Sequence, residues 1–432
     1  MSAFWGILGP GNIESARRVR TLGLSSSTRL FNELAVPGLG GVWFGKPLLL
    51  ATLGVVVAEK AALLGRRVTP IGVTNAIEAL ACGMALTQDR HAGDARLLGT
   101  TKLAGRNIED FSFRNASRPG FYVTQPMRMA TVSVLPALGL VEPGGVRFNS
   151  FRYSQDGLAF VETAFSEFRP FRRSVVDHLL LWVQGQIEKV DSPVLREALS
   201  PLLPLPEAGC TFLKERLLQG SSASPPWERQ RRSDALNWVQ SRRKNAPPCQ
   251  WEKQPIQISD PKHWSDMRAG ASFFAARDAA QNLLNHLEEH IAEPENRFLI
   301  GSSLPAHLRQ PLEDLQFKAG AFLQLHHEDQ NANRFCSEMT STEDSVLRQL
   351  VIRDGRILRL AGNHVCAGQA FQPATAVPSD ATDDQDGGTP GDTFGWPPDI
   401  SQRIRNLWWL SLDLERDLNA WMHPAETQVA HG

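Results

Sequence analysis

The sequence predicts a mainly α, multi-domain protein, and three observations carry that prediction. Apolar residues recur at helical spacing in segment after segment, such as Ile77, Leu80, Ala81 and Met84. Strand-like runs are confined to two short places, near 138–153 and 347–371. The length of 432 residues exceeds one hydrophobic core and corresponds to two to four domains at roughly 100–200 residues each. With 42% hydrophobic and 21% charged residues, usage is ordinary for a globular chain, which excludes a wholly disordered, collagenous or coiled-coil protein. The expected divisions are an N-terminal helical region (1–70), a mixed helix–strand module (71–165), a helical region (166–220), a basic linker or helix (221–262) and a helical C-terminal domain (263–432).

Each element has a local reason. Gly9-Pro10-Gly11-Asn12 reads as a turn ahead of a helix near Ile13–Leu22. It lacks the third glycine and the preceding strand of a dinucleotide loop. Helical patterns follow at Leu48–Leu64 and Val73–Thr87. Pro47–Ala58 is the most apolar stretch, but Glu59 and Lys60 interrupt it well before the roughly 20 residues a bilayer needs. It is read as a buried core helix, and no membrane association is expected. The first residues, Met1–Gly6, carry neither a basic segment nor a cleavage-like apolar one, so the chain reads as soluble and cytoplasmic. The five cysteines are scattered without any C-x-x-C spacing, which fits a reducing compartment and argues against a cysteine zinc site.

Residues 120–165 hold the clearest pattern. A helix starts near Pro126, whose missing N–H is harmless in a first turn, and Pro136 kinks or ends it. Leu138–Glu142 follows, then a Pro143-Gly144-Gly145 turn, an extended run Val146–Tyr153, and a helix opened by Ser154-Gln155-Asp156-Gly157. This order, with the phrases Leu138–Glu142 and Tyr153–Glu162, resembles the wing of the winged-helix superfamily, with Val73–Thr87 as an earlier helix. The resemblance covers about a quarter of the chain. It implies a module that contacts DNA phosphates or docks on protein, with Arg147 and Arg152 on the wing and Arg128 on the helix before it. Thr101–Arg173 carries ten basic and six acidic residues in a chain whose formal net charge is −1. The helix before the wing offers only Arg128, Thr131 and Ser133 as polar groups, too few for sequence readout by bidentate contacts.

A second basic stretch is Arg229, Arg231, Arg232, Arg242, Arg243 and Lys244, with Trp227 and Trp238 interleaved. Thr211–Lys253 holds nine basic residues against four acidic. Bracketed by Ser221–Pro226 and Ala246-Pro247-Pro248, it reads either as a solvated linker helix or as a cationic surface for phosphates or an acidic partner.

In the C-terminal region, Asp354-Gly355 between Val351 and Leu360 reads as a two-residue hairpin turn. Residues 378–398, with five aspartates and four glycines, read as a mobile loop. Asp399 and Gln402 are spaced like a capping box for a last helix carrying Trp408 and Trp409. His286 and His290 share a helix face at metal-ligand spacing, with His327 as a possible third ligand. The glutamate that follows the first histidine in zinc proteases is absent there, so a polar solvated face is the better reading. No serine-nucleophile elbow or phosphate-binding loop with its lysine occurs.

Together these features predict a non-enzymatic, cofactor-free subunit of a larger assembly; a bacterial phage-defence or mobile-element setting would suit such a chain, although no residue demonstrates it. It would contact the backbone of double-stranded DNA with low sequence specificity and bind other protein subunits. The alternatives are a protein-interaction scaffold without DNA contact and a metal-dependent hydrolase.

Overall fold

The computed structural model describes residues 20–88, 93–187, 190–242, 248–292, 298–371 and 395–423. In chain order come α1 (Ser25–Ala35), α2 (Lys46–Leu63), α3 (Pro70–Gln88), and the single turns α4 (Thr100–Leu103), α5 (Phe113–Ala116), α6 (Arg128–Thr131) and α7 (Val134–Ala137). The strands β1 (Val141–Pro143) and β2 (Phe151–Tyr153) follow, then α8 (Gln155–Ala164), α9 (Val175–Gln184), α10 (Pro193–Leu199), α11 (Glu207–Gln219), α12 (Pro226–Ser241) and α13 (Pro261–Ala292). The chain continues through β3 (Phe298–Leu299), α14 (Ala306–Leu323), α15 (Gln330–Met339), α16 (Glu343–Asp354), β4 (Leu358–Ala361), β5 (His364–Ala367), α17 (Gln402–Leu414) and α18 (Leu418–Met422). The fold is mainly α with two small antiparallel sheets.

The compact units do not follow the divisions expected from sequence. One comprises residues 30–270 with 378–432, and the other residues 1–29 with 271–377. The boundaries fall within α1 and α13, so each of these helices contributes to both units.

In the larger unit, every residue of α2 from Lys46 to Ala58 is buried. A helix apolar all round belongs either in a protein core or in a membrane. Here α3, α6, α8, α9 and β2 surround it, and among the described residues no helix is long and apolar enough to cross a membrane. α3 comes so close that a Cβ on Gly54 would lie 2.1 Å from Thr74 Oγ1. The N-terminus of α2 is closed from far along the chain: Gly45 N donates to Asp413 Oδ2 of α17 at 2.7 Å. A carboxylate at that place satisfies an orphan amide and complements the helix dipole. It also ties α17 to the larger unit, where α17 packs on α11 and α12.

In the smaller unit, β3-β5-β4 form an antiparallel sheet beside α14, α15 and α16. Its core includes Phe273, which packs on Phe322 and Phe335. The expected hairpin exists, but its turn is Gly362-Asn363 between β4 and β5. Asp354-Gly355 instead ends α16: Gly355 takes φ +60, and the Asp354 carboxylate accepts from Leu358 N at 2.9 Å. Glycine at a left-handed helix end is as good a reading of that dipeptide as a hairpin turn. α17 is likewise capped by Ser401, which accepts from Arg403 N, and not by Asp399. Most of the helix expected near Ile13–Leu22 and of the loop at 378–398 lies outside the described residues.

Replacing Gly54 by alanine should lower the thermal midpoint by several degrees, at a cost of about 1–3 kcal/mol, because the methyl group would lie within 2.7 Å of the Thr74 backbone as well as its side chain. Alanine's better helix propensity, worth about 1 kcal/mol, acts the other way. A midpoint unchanged or raised in a calorimetric scan would refute the close crossing.

Candidate nucleic-acid interface

The hairpin in the expected wing is real but small. Val141, Glu142 and Pro143 pair with Tyr153, Arg152 and Phe151. The loop between the strands closes where Gly144 N donates to Ser150 O at 3.0 Å. Phe148 turns inward and Val146 stands outward, 91% exposed. Two hydrogen bonds fix the hairpin against the end of α2 and the start of α3. Tyr153 N donates to Glu59 Oε2 at 3.0 Å, and Ile71 N donates to Asn149 Oδ1 at 3.0 Å. The α2–α3 connection, which carries Arg66 and Arg67, is thereby tied to the hairpin that carries Arg147 and Arg152.

All four of these arginines are exposed. Among the described residues, none of their guanidinium groups has a hydrogen bond or an ion pair. Glu142 faces Arg152 across the register without forming an ion pair among the described residues. Leu63 and Leu64, 77% and 62% exposed, adjoin Arg66 and Arg67. The surface is therefore cationic with apolar residues inside it. The sequence singles out Arg147 and Arg152 for this hairpin but not Arg66-Arg67, because only folding ties the α2–α3 turn to the hairpin.

The segment before the wing departs from expectation. The helix expected from Pro126 to Leu135 is two separate turns, α6 and α7, with Thr131, Val134 and Leu135 buried. Arg128 points inward: its Nε donates to Asn75 Oδ1 at 2.6 Å, and its guanidinium lies 5.6 Å from the Phe148 ring centroid. It is a half-buried brace behind the hairpin and not an outward phosphate contact.

The brace belongs to a buried polar cluster. Glu78 on α3 is fully buried and accepts a hydrogen bond from the Tyr122 hydroxyl. Its Oε1 has no partner among the described residues. Burial pushes the Glu78 carboxyl up to about 7, against the opposing effects of the Tyr122 hydrogen bond and the Arg128 charge. Burial also pushes the neighbouring Cys82 thiol up to about 12 and lowers the Arg128 pKa.

The second basic stretch is neither a linker nor a free cationic face. It is α12, and Arg231, Arg232 and Arg242 are buried. Arg231 donates to Asp266 Oδ2 at 2.7 Å and to Leu34 O at 3.0 Å. Arg232 donates to Leu217 O at 2.9 Å and pairs with Glu228 at 3.5 Å. Arg242 donates to Gly395 O at 3.0 Å and lies 5.3 Å from the Trp396 ring centroid. These groups satisfy interior carbonyls and carboxylates, as buried charges must, and cannot reach a phosphate. Arg229 remains exposed, and Arg243 and Lys244 lie outside the described residues.

The histidines do not converge. His286 Nδ1 lies 3.5 Å from Glu289 Oε2. His290 packs on Phe298 and on the His307 ring. His327 Nδ1 accepts from Asp329 N at 3.2 Å. Among the described residues, no group of three or more His, Cys, Asp or Glu is placed to hold a metal.

Comparison with protein-family models, with curated proteins and with solved structures finds no match to the chain.

Two expectations follow from these placements. Glu78 has a folded pKa above its ordinary 4.5, so the fold favours the neutral acid. The native state should then lose stability as pH rises from about 4.5 to about 7, by up to about 3 kcal/mol, with no further loss above. Glu78→Gln should gain on the wild type across that window in pH-resolved melting curves; parallel curves would refute the assignment. Arg231→Ala should destabilise by about 3 kcal/mol because it strips Asp266 of a buried partner. Arg229→Ala should change stability by less than about 0.5 kcal/mol, and equal effects in denaturant titrations would contradict the buried placement.

Proposed function

We propose that the protein is a non-enzymatic subunit that contacts the phosphate backbone of duplex DNA, with little sequence preference, through the Val141–Tyr153 hairpin and the adjoining 63–67 turn. One observation carries this reading. Four exposed arginines, Arg66, Arg67, Arg147 and Arg152, stand on two segments tied together by hydrogen bonds, and none of them forms an ion pair among the described residues. Arginine presents a planar fork that suits phosphate oxygens. Contacts of this kind position a protein on DNA and do not read bases. The order α2, α3, α6–α7, β1, β2, α8 supports a winged-helix module whose wing, and not its preceding helix, meets the ligand. The two short turns at α6 and α7 are too brief and too buried to lie in a major groove.

A second reading has its own support. Leu63 and Leu64 on the turn and Val146 on the hairpin are exposed apolar residues, and a partner protein with an acidic, apolar surface would suit both segments.

Binding to a random-sequence duplex should be micromolar or tighter at low salt, with log affinity falling linearly against log salt. Replacing Arg66, Arg67, Arg147 and Arg152 by glutamine should reduce the magnitude of that slope by up to about 3.6, at about 0.9 for each of four phosphate contacts. Arg229→Gln should leave it unchanged. An unaltered slope in the quadruple variant would overturn the assigned surface. Absence of binding at low salt would overturn DNA contact and favour the protein-docking reading.

A further inference from the structure

A cavity of about 440 Å³ opens among the 41–44 segment leading into α2, the 95–98 and 125–130 segments, and the first turn of α17. All its lining residues belong to the larger compact unit. The volume falls within the range of small-molecule sites.

Its walls define the shape it accepts. Trp43 and Phe44 lie side by side with ring centroids 4.5 Å apart, and Trp409 braces Trp43 edge-on at 6.4 Å. Met127 and Met129 also line it, and Met129, 52% exposed, stands where the cavity meets solvent. Fixed rings with adaptable thioethers suit a flat aromatic occupant.

The polar lining defines its charge. It consists of Arg96, Gln125, Gln402 and Asn406, with no carboxylate. The Arg96 guanidinium is already engaged: Nε and Nη2 donate to Asp94 at 3.0 and 2.7 Å, and Nη1 donates to Leu202 O at 3.0 Å and to Asn419 Oδ1 at 2.5 Å. Gln402 Nε2 donates to Asn406 Oδ1 at 3.1 Å. The half-buried Gln125 amide has no hydrogen-bond partner among the described residues. An anion here would meet a cation whose charge is already balanced. A cation would meet no carboxylate, and either would lose its hydration uncompensated. A purely apolar occupant would leave the Gln125 donor and acceptor unmatched.

We propose that this cavity is a binding site for a small, flat, uncharged heteroaromatic molecule, its ring against Trp43 and Phe44 and its amide-like edge paired with Gln125. The site is separate from the arginine surface and stands whether or not that surface binds DNA.

The test uses the full chain in calorimetric titrations with nicotinamide, quinazolin-4-one and caffeine, which are uncharged and flat. Nicotinate and 1-methylnicotinamide serve as anionic and cationic matches to the first. At least one uncharged compound should bind saturably with a submillimolar Kd, and nicotinate and 1-methylnicotinamide should bind more weakly than nicotinamide. Gln125→Ala should weaken the uncharged ligand about tenfold. Met129→Trp, an exposed substitution that leaves the core untouched, should narrow the entrance and weaken it as well. No saturable binding by any uncharged compound, equal binding by the charged matches, or affinity unchanged in both folded variants would overturn the proposal.

Discussion

The burial of α2 is the constraint on which the larger unit depends. A helix with Lys46 to Ala58 all buried must be covered on every side, so its neighbours come from across the sequence. α3 supplies one side through the Gly54–Thr74 contact, β2 and α8 supply another, and α17 reaches back to close its N-terminus through Asp413. Lys46, at the same end, is buried with its ammonium donating to Ala198 O at 3.2 Å. Burial lowers its pKa to about 8, while the burial-raised Asp413 opposes that shift. The arrangement tolerates a buried cation at a helix N-terminus, which the dipole disfavours, because a carboxylate and a carbonyl stand beside it.

That core sets what the surface can do. The C-terminal end of α2 emerges as Leu63 and Leu64 and turns through Arg66 and Arg67. The hairpin is held there by Glu59 on α2 and by Asn149, which reaches the start of α3. The arginines therefore project from segments that are already hydrogen-bonded to α2 and α3. Arginine alone is not a signal of such a surface. Arg231, Arg232 and Arg242 belong to the same residue type and serve the interior, each donating to a carbonyl oxygen.

Much of the architecture was legible from periodicity. Leu48–Leu64 and Val73–Thr87 became α2 and α3 within two or three residues, and the helix expected to open at Ser154–Gly157 is α8, with Ser154 as its N-cap. What sequence could not supply was partnership at long separation. Asp413 caps a helix 368 residues away, so α17 joins a unit that begins at residue 30. The basic run in α12 looked solvated because its charges were countable while Asp266 and the carbonyls of Leu34 and Leu217 were not adjacent in sequence. Asp354-Gly355 was ambiguous for a local reason, since a left-handed glycine ends a helix as readily as it makes a turn. At the hairpin, the exposure of Arg147 and Arg152 agrees with the sequence pattern, whereas the tie to the turn that carries Arg66 and Arg67 runs through Glu59 and Ile71 and could not be read along the chain.

The most direct test of the account is hydrogen–deuterium exchange on the full chain with and without a random-sequence duplex at low salt. With DNA bound through the arginine surface, exchange should slow in the 63–67 turn and in the 143–153 hairpin, with α12 amides unchanged. Protection centred on α12, or none at the hairpin while DNA is bound, would contradict it.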